Sequence, residues 1–219
     1  MWRRCRQQET AVGRPSGSRN EGYDTRREAL ARAVIPRLTA NDGPRASFAD
    51  LAEAAAVSVP TLKHYFGDRT GVVSAALRLL GAQGTPWVET IKTPSSADLR
   101  VSLLDVATAF SRAWALFGVG RAVGASLALG MHDAVVGPGT VDGVLEPLVQ
   151  ALEARLAVHA AAGTMDLGDD ELRLASLAFV SPLLVALLHQ HELSGASCRP
   201  LDLDHFIDRH VARFVRAWT

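Results

Sequence analysis

Apolar residues recur at helical spacing through most of the chain. The last stretch is the clearest. Leu203, Phe206, Ile207, His210, Val211, Phe214, Val215 and Trp218 follow i, i+3, i+4, i+7, the period of one helix face. A helix carrying that many large apolar groups must bury them against something. Leu30, Ala33, Val34 and Leu38 repeat the pattern near the front. A helix is therefore predicted from about residue 24, kinked or shortened by Pro36 and stopped by Asn41-Asp42-Gly43-Pro44. Ser47 then opens a short helix over 48–55, with Asp50 three positions on as in a capping box. Ala56-Val57 is a turn and Ser58 a second N-cap. Pro60 falls in the first turn of the next helix, where its missing N–H costs nothing. That helix reaches Tyr65, and Gly67 ends it. A longer helix is predicted over 68–80, closed near Gly81 and Gly84. Five more are predicted at about 97–116, 119–134, 140–161, 169–193 and 203–218. No stretch alternates convincingly with a period of two, and no segment repeats, so the fold class read from the pattern is all-α.

Composition narrows the picture. The chain has 219 residues and is 48% apolar, enough for a substantial core. The richest apolar run, 172–188, is broken by Arg173, Ser176, Ser181 and Pro182, so no membrane span is predicted. No apolar stretch follows the basic N-terminus, which therefore does not read as a secretory signal. Residues 1–23 are polar and rich in Gly, Ser and Arg. They read as a disordered arm whose Arg3, Arg4, Arg6, Arg14 and Arg19 would lie along DNA, or equally as an inert tail. Cys5 and Cys198 form no metal-binding or redox pair, as expected of reduced thiols in a cytoplasmic protein. Net charge is zero but unevenly shared. Residues 1–84 hold 13 basic and 8 acidic side chains, and 85–219 hold 10 and 15. A basic front on an acidic back suits a protein that offers one end to a polyanion.

Two short helices, each capped by serine and joined by a tight turn, make a helix-turn-helix. The second presents Val59, Pro60, Thr61, Lys63, His64 and Tyr65. Small and polar groups at its start would reach base edges in a major groove, and the later cation and hydroxyl would grip phosphate. Ser47, at the N-terminus of the preceding helix, and Ser58 add phosphate contacts aided by the helix dipole. A purely structural hairpin is the plain alternative. Residues 26–80 resemble the DNA-binding domain of the TetR family of transcriptional regulators. The match runs through Leu30, Leu38, Gly43, Ser47-Phe48-Ala49-Asp50-Leu51-Ala52, Ala56-Val57-Ser58-Val59-Pro60-Thr61-Leu62 and Tyr65-Phe66. It continues into Asp68-Arg69, and the resemblance gives Arg69 a phosphate contact. Three positions depart from the family pattern. Lys63 stands where tyrosine is common, and Pro36 lies inside the first helix. Ala56 replaces a turn glycine, so the turn must avoid positive φ or accept strain.

The resemblance implies a helix-turn-helix domain with a linking helix at 24–84 and a helical effector-binding and dimerisation domain at 85–219. It implies a ligand-responsive regulator, in most cases a repressor, that binds a palindromic DNA operator as a homodimer. In the back half, Phe110, Trp114 and Phe117 share one helix face, followed by Ser126, Met131 and His132. Core packing explains each singly. With Gly118, Gly120 and Gly124 leaving space, they are also the expected wall of a cavity for a mostly apolar effector. The expected dimer interface uses Leu184, Leu188, Leu203, Phe206, Ile207, His210, Phe214 and Trp218. His189 and His191 point about 200° apart on a helix and cannot share a metal, so neither metal nor cofactor is predicted. Asp166, Asp169, Asp170 and Glu171 sit at a helix start and serve its dipole. No nucleophile–base or phosphate-loop pattern points to an enzyme. Two other readings stay open: a DNA-binding regulator without effector, and a helical small-molecule-binding protein or enzyme with a silent hairpin.

Overall fold

The chain is described by a computed structural model covering residues 18–219 except Phe117 and Asp169. The expected arm up to residue 17, with Cys5 and its arginines, lies outside the described residues, as does the Arg19 side chain. All elements among the described residues are helical. The first is α1 (Ser18–Leu38), which carries Pro36 in its last turns without ending there. A tight turn at Gly43–Arg45 leads into α2 (Phe48–Ala54), followed by α3 (Val59–Phe66) and α4 (Arg69–Lys92). The back half holds α5 (Leu99–Leu116), α6 (Val119–His132), α7 (Val136–Thr140) and α8 (Glu146–Ala161), the last two joined by a π-helical turn at Val141–Leu145. Then come α9 (Leu172–Leu187), prolonged by a second π-helical turn at Leu188–Glu192, α10 (Gly195–Cys198) and α11 (Leu203–Trp218).

Two apolar cores organise these helices. The front core joins Leu30, Val34 and Leu38 of α1 to Leu51, Leu62 and Phe66, and to Val72, Val73 and Leu77 of α4. It also takes in Leu129 of α6 and Val136 of α7. The back core gathers Leu103, Phe110, Leu152, Leu156, Phe179 and Val211, among others. Among the described residues α4 alone places buried members in both, because Ile91 near its far end belongs to the back core and Trp87 and Val88 pack against it. The predicted stop at Gly81 and Gly84 is thus corrected. A Cβ on Gly81 would lie 2.3 Å from the Gly143 carbonyl oxygen. Glycine there lets the helix touch the backbone at 141–145 rather than ending it.

The C-terminus of α4 is held by a buried cation. Arg155 of α8 is 3% exposed and has no carboxylate within ion-pair distance among the described residues. It donates to the carbonyls of Thr90, Ile91 and Thr93, and to the Ser102 carbonyl and hydroxyl. Free carbonyls at a helix C-terminus carry the negative end of its dipole, so a guanidinium there satisfies both hydrogen bonding and charge. Ser102 Oγ lies 3.0 Å from His159 Nε2, and His159 Nδ1 lies 3.1 Å from Thr164 Oγ1. Thr164 Oγ1 donates to the His159 carbonyl, so Nδ1 is the donor to Thr164, and in the neutral ring Nε2 accepts from Ser102. Burial and the Arg155 charge favour the neutral imidazole in this network.

The apolar stripe of α11 is partly buried within its own chain. Ile207, Val211 and Phe214 lie in the back core. Phe214 meets the Phe179 ring edge-on, with centroids 5.0 Å apart, and His210 Nε2 lies 2.9 Å from the Phe179 carbonyl oxygen. Leu203, Phe206 and Trp218 pack against the same core, as do Leu184 and Leu188 of α9. These residues were expected at a dimer interface. Of these, Ile207 and Phe214 are buried against α5 and α9, while Leu184, Leu188, Leu203, Phe206, His210 and Trp218 are half-buried.

Three outcomes follow from this packing. Phe214→Ala should lower unfolding free energy by about 3–5 kcal/mol, measurable by urea titration. Arg155→Met should destabilise by roughly 1–3 kcal/mol for each buried acceptor left unsatisfied. Burial, then the Arg155 charge, hold His159 below its ordinary value of 6.5. Burial shifts His210 the same way. Stability is therefore whole above about 6.5 and lost as pH falls through the lower folded-state values. Thermal melts between about pH 7 and pH 5 should fall less steeply in His159→Gln than in the parent.

Candidate functional site

The front of the molecule presents a tightly capped helical hairpin. Ser47 Oγ accepts from the Asp50 N–H at 3.2 Å, and Asp50 Oδ2 accepts from the Ser47 N–H at 2.8 Å. The Ser47 N–H, then its hydroxyl, hold the Asp50 carboxyl below the usual range, and Arg37 adds to this. Ser58 Oγ accepts from the Thr61 N–H at 3.3 Å and lies 2.8 Å from Thr61 Oγ1. Between these caps, Ala56 adopts φ +53°. The turn therefore accepts a left-handed residue without glycine, at roughly 1–3 kcal/mol. Leu62 and Phe66 anchor α3 in the front core, leaving Ser58, Val59, Pro60, Lys63 and His64 exposed. Thr61 and Tyr65 are half-buried.

The far end of α3 is held by residues that the sequence pattern did not single out. Tyr23 stacks on Tyr65, with centroids 4.8 Å apart, and its hydroxyl donates to the His64 and Tyr65 carbonyls. Arg27 Nε donates to the Tyr65 carbonyl at 3.2 Å, and its guanidinium lies over the Phe66 ring. Tyr23 and Arg27 are four residues apart on α1, the spacing that places two side chains on one face. Their role was missed because Tyr23 was assigned to the arm. Arg69 makes hydrogen bonds within the chain. Its Nε donates to the Ala46 carbonyl at 2.7 Å and its Nη2 to the Pro44 carbonyl at 2.8 Å. These bonds tie the start of α4 to the loop before α2, so two of its donors are already committed within the chain. Lys63 and Arg45 are exposed, with no carboxylate in ion-pair reach among the described residues.

Behind the hairpin lies a cavity of about 1150 Å³. Its walls come from the end of α1, the middle of α4, α5, α6, residues 143–149 and α9. Of the predicted effector residues, Phe110 and Ser126 line it. Trp114, Met131 and His132 do not. Trp114 is buried with its Nε1 donating to Glu192 Oε1 at 3.1 Å, and Met131 is 78% exposed. His132 is also exposed, its Nδ1 2.9 Å from the Ala128 carbonyl oxygen. Phe117 lies outside the described residues. Gly120 does not open the cavity: a Cβ there would fall 2.2 Å from Trp114 Nε1, so the glycine makes room for the Trp114–Glu192 contact. The lining residues not anticipated include Trp87, which stacks on Phe110 with centroids 5.8 Å apart, and Arg112 and Arg121. Trp87 was hidden by the expectation that α4 stops at Gly84.

The cavity and the hairpin share elements. Ile35 and Pro36 of α1, with Thr39 and Ala40 just past its end, line the cavity, while Leu30, Val34 and Leu38 of the same helix hold the front core. Ala122 and Ser126 of α6 line it too, and Leu129 one turn further on lies in the front core. Beyond α6, Asp133 Oδ2 accepts from the Thr70 hydroxyl of α4 at 2.8 Å. Away from the cavity, α9 exposes Leu174, Ala178, Pro182 and Val185 along one stripe, with Leu174 61% and Val185 63% exposed, while its exposed Leu177 and Ser181 line the cavity. The 21-residue stretch Leu172–Glu192 is long and apolar enough to cross a membrane by length and composition. Its Phe179, Leu183 and Leu187 are nonetheless packed in the back core. No group of histidine, cysteine or carboxylate side chains that could hold a metal ion occurs among the described residues.

No family model and no curated protein matches the sequence. Solved structures do match the fold. A protein described as a TetR-family transcriptional regulator from Mesorhizobium loti superposes with a TM-score of 0.67 at 18% identity, over 91% of this chain and 98% of that one. GusR of Salmonella enterica gives 0.64 at 17% identity, over 88% and 96%. A TetR transcriptional regulator from Agrobacterium tumefaciens gives 0.62 at 21% identity, over 88% and 94%. The likeness extends through the back half, where the sequence resemblance was confined to residues 26–80. The chain has the fold of the TetR-family transcriptional regulators.

Proposed function

We propose that this protein is a transcription regulator, acting as a repressor, that grips a palindromic DNA operator as a homodimer and answers to a small molecule in its cavity. The observation that carries this reading is the sharing of α1 and α6 between the cavity and the core behind the hairpin. A ligand that prefers one arrangement of those helices shifts the population of hairpin positions by its differential affinity. The proteins of similar fold from Mesorhizobium loti and Agrobacterium tumefaciens are described as transcriptional regulators, which supports the same reading. It gives the chain no catalytic step and no cofactor.

On DNA, α3 is the recognition helix. Val59, Pro60 and Thr61 meet base edges from its N-terminal turn, and Lys63, His64 and Tyr65 follow toward the backbone. Ser47, Ser58 and the exposed Arg45 lie where phosphates would run. Arg69 acts by fixing the loop before α2. Pairing of two copies uses the outward stripe of α9 together with the half-buried Leu184, Leu188, Leu203, Phe206, His210 and Trp218, since Ile207 and Phe214 are occupied within the chain. A stripe of that kind on a surface marks an interface, and two-fold pairing is the commonest closed arrangement.

Selection from random duplexes should enrich a palindrome whose half-sites are read about 34–36 Å apart. Recovery of no preferred duplex would overturn the DNA-binding reading. Lys63→Ala should weaken binding by roughly 1–3 kcal/mol if the lysine reads a base. It should instead lower the salt dependence by about one unit of slope if it contacts phosphate. Leu174→Asp with Val185→Asp should give a folded monomer in sedimentation, because neither side chain supports the core. A stable dimer in that variant would place the interface elsewhere.

A further inference from the structure

The cavity wall is apolar over most of its extent, with Trp87, Phe110, Val123, Leu148, Val180 and Leu184 among its side chains. Its only charged members among the described residues are Arg112, from the last turns of α5, and Arg121, from the first turn of α6. Aspartate, glutamate, lysine and histidine are absent from the described lining. Both arginines are exposed, so they stand where the cavity opens to water. No carboxylate lies within ion-pair distance of either among the described residues. This positive pair sits in the half of the chain where acids outnumber bases 15 to 10, so the charge at the opening runs against its surroundings.

We propose that the ligand of this cavity is an amphiphile with an oxyanion head, a carboxylate or phosphate, and a long or bulky apolar body. The inference rests on the reading of the cavity as an effector site and names the chemistry of that effector. A guanidinium presents a planar fork of donors that matches carboxylate and phosphate oxygens, and a charged acceptor strengthens each bond. The opening holds the head in Arg112 and Arg121 while the apolar body displaces water from the wall behind them. A volume of about 1150 Å³ lies at the upper end of small-ligand sites, so a single small ring would leave much of it unfilled. Polar groups deeper in have little left to offer an anion. Ser126 Oγ already donates to the Ala122 carbonyl at 2.7 Å, which leaves it an acceptor. The anion therefore stays at the rim, and the ligand enters body first.

The test uses the full chain and four probes of one chain length below their micelle concentrations: dodecanoate, dodecyl phosphate, dodecanol and dodecylamine. Binding is followed by calorimetry and by Trp87 emission, with Trp87→Phe removing the optical signal. Dodecanoate or dodecyl phosphate should bind at least about tenfold more tightly than dodecanol, the worth of one charge-assisted contact. Dodecylamine should bind weakest. Which anion binds more tightly separates the carboxylate from the phosphate source. Arg112→Gln with Arg121→Gln should erase the preference for the anion while leaving dodecanol affinity unchanged, which also shows that the variant is folded. Equal affinity for dodecanol and both anions, a preference that survives in the double variant, or no binding of any probe overturns the proposal. None of these outcomes touches the DNA-binding reading, which is judged by duplex selection without ligand. Conversely, anion binding without DNA binding would leave this inference standing and remove the regulator.

Discussion

The architecture depends on one long helix being held at both ends. At its start, Asp68 caps the first turn of α4, and Arg69 binds the carbonyls of Pro44 and Ala46. At its end, Arg155 takes up the carbonyls of Thr90, Ile91 and Thr93. Burying a guanidinium costs several kcal/mol unless its donors are satisfied. Here the acceptors are helix-terminal carbonyls that would otherwise be unpaired, so two costs offset each other. Burial, and then the charge of the same cation, lower the pKa of His159, whose Nε2 lies 3.0 Å from Ser102 Oγ. The α4, α5 and α8 helices thus meet at one polar knot, and the direction in which α4 leaves the front core is set.

That direction decides what the cavity touches. Because α4 continues through Gly81 and Gly84, it carries Trp87 into the back half and forms the wall facing α5 and α9. Because α6 ends in the front core, its N-terminal half can line the same cavity. A rigid element shared by two packed regions transmits displacement, since close-packed cores have discrete arrangements rather than continuous give. The Thr70–Asp133 bond adds a polar tie at the same junction, where Asp133 also accepts from the N–H groups of Val135 and Val136.

The distribution of apolar surface follows from which helix is central. The α11 helix has polar groups on its outer side and a continuous apolar face, so it lies on the core with that face inward. The α9 helix is apolar nearly all round. Its inner residues meet α8 and α11, and its outer stripe is left over. An amphipathic helix covers a core, while one apolar on every side calls for a cover of its own.

Much of this was legible in the sequence, for a local reason. Serine caps, an early proline and the Gly67 stop act within a few residues, so both hairpin helices were placed within about two residues of their observed ends. The limits of α11 followed from its period alone. The all-α class and the exposed face of α3 were likewise local. Contacts decided the rest. Gly81 has the composition of a stop, and only the approach of Gly143 makes it a packing device. Arg69 has the composition of a phosphate contact, and only the two nearby carbonyls assign its donors. Periodicity placed Trp114 on the expected cavity face, yet the partner Glu192, distant in sequence, withdrew it, while the length of α4 delivered Trp87. Sequence by itself determined which residues form helices and which face of each is apolar, because caps, turns and periodicity are short-range. Tertiary structure alone decided what each face meets, because that depends on residues far apart in the chain that share space only after packing.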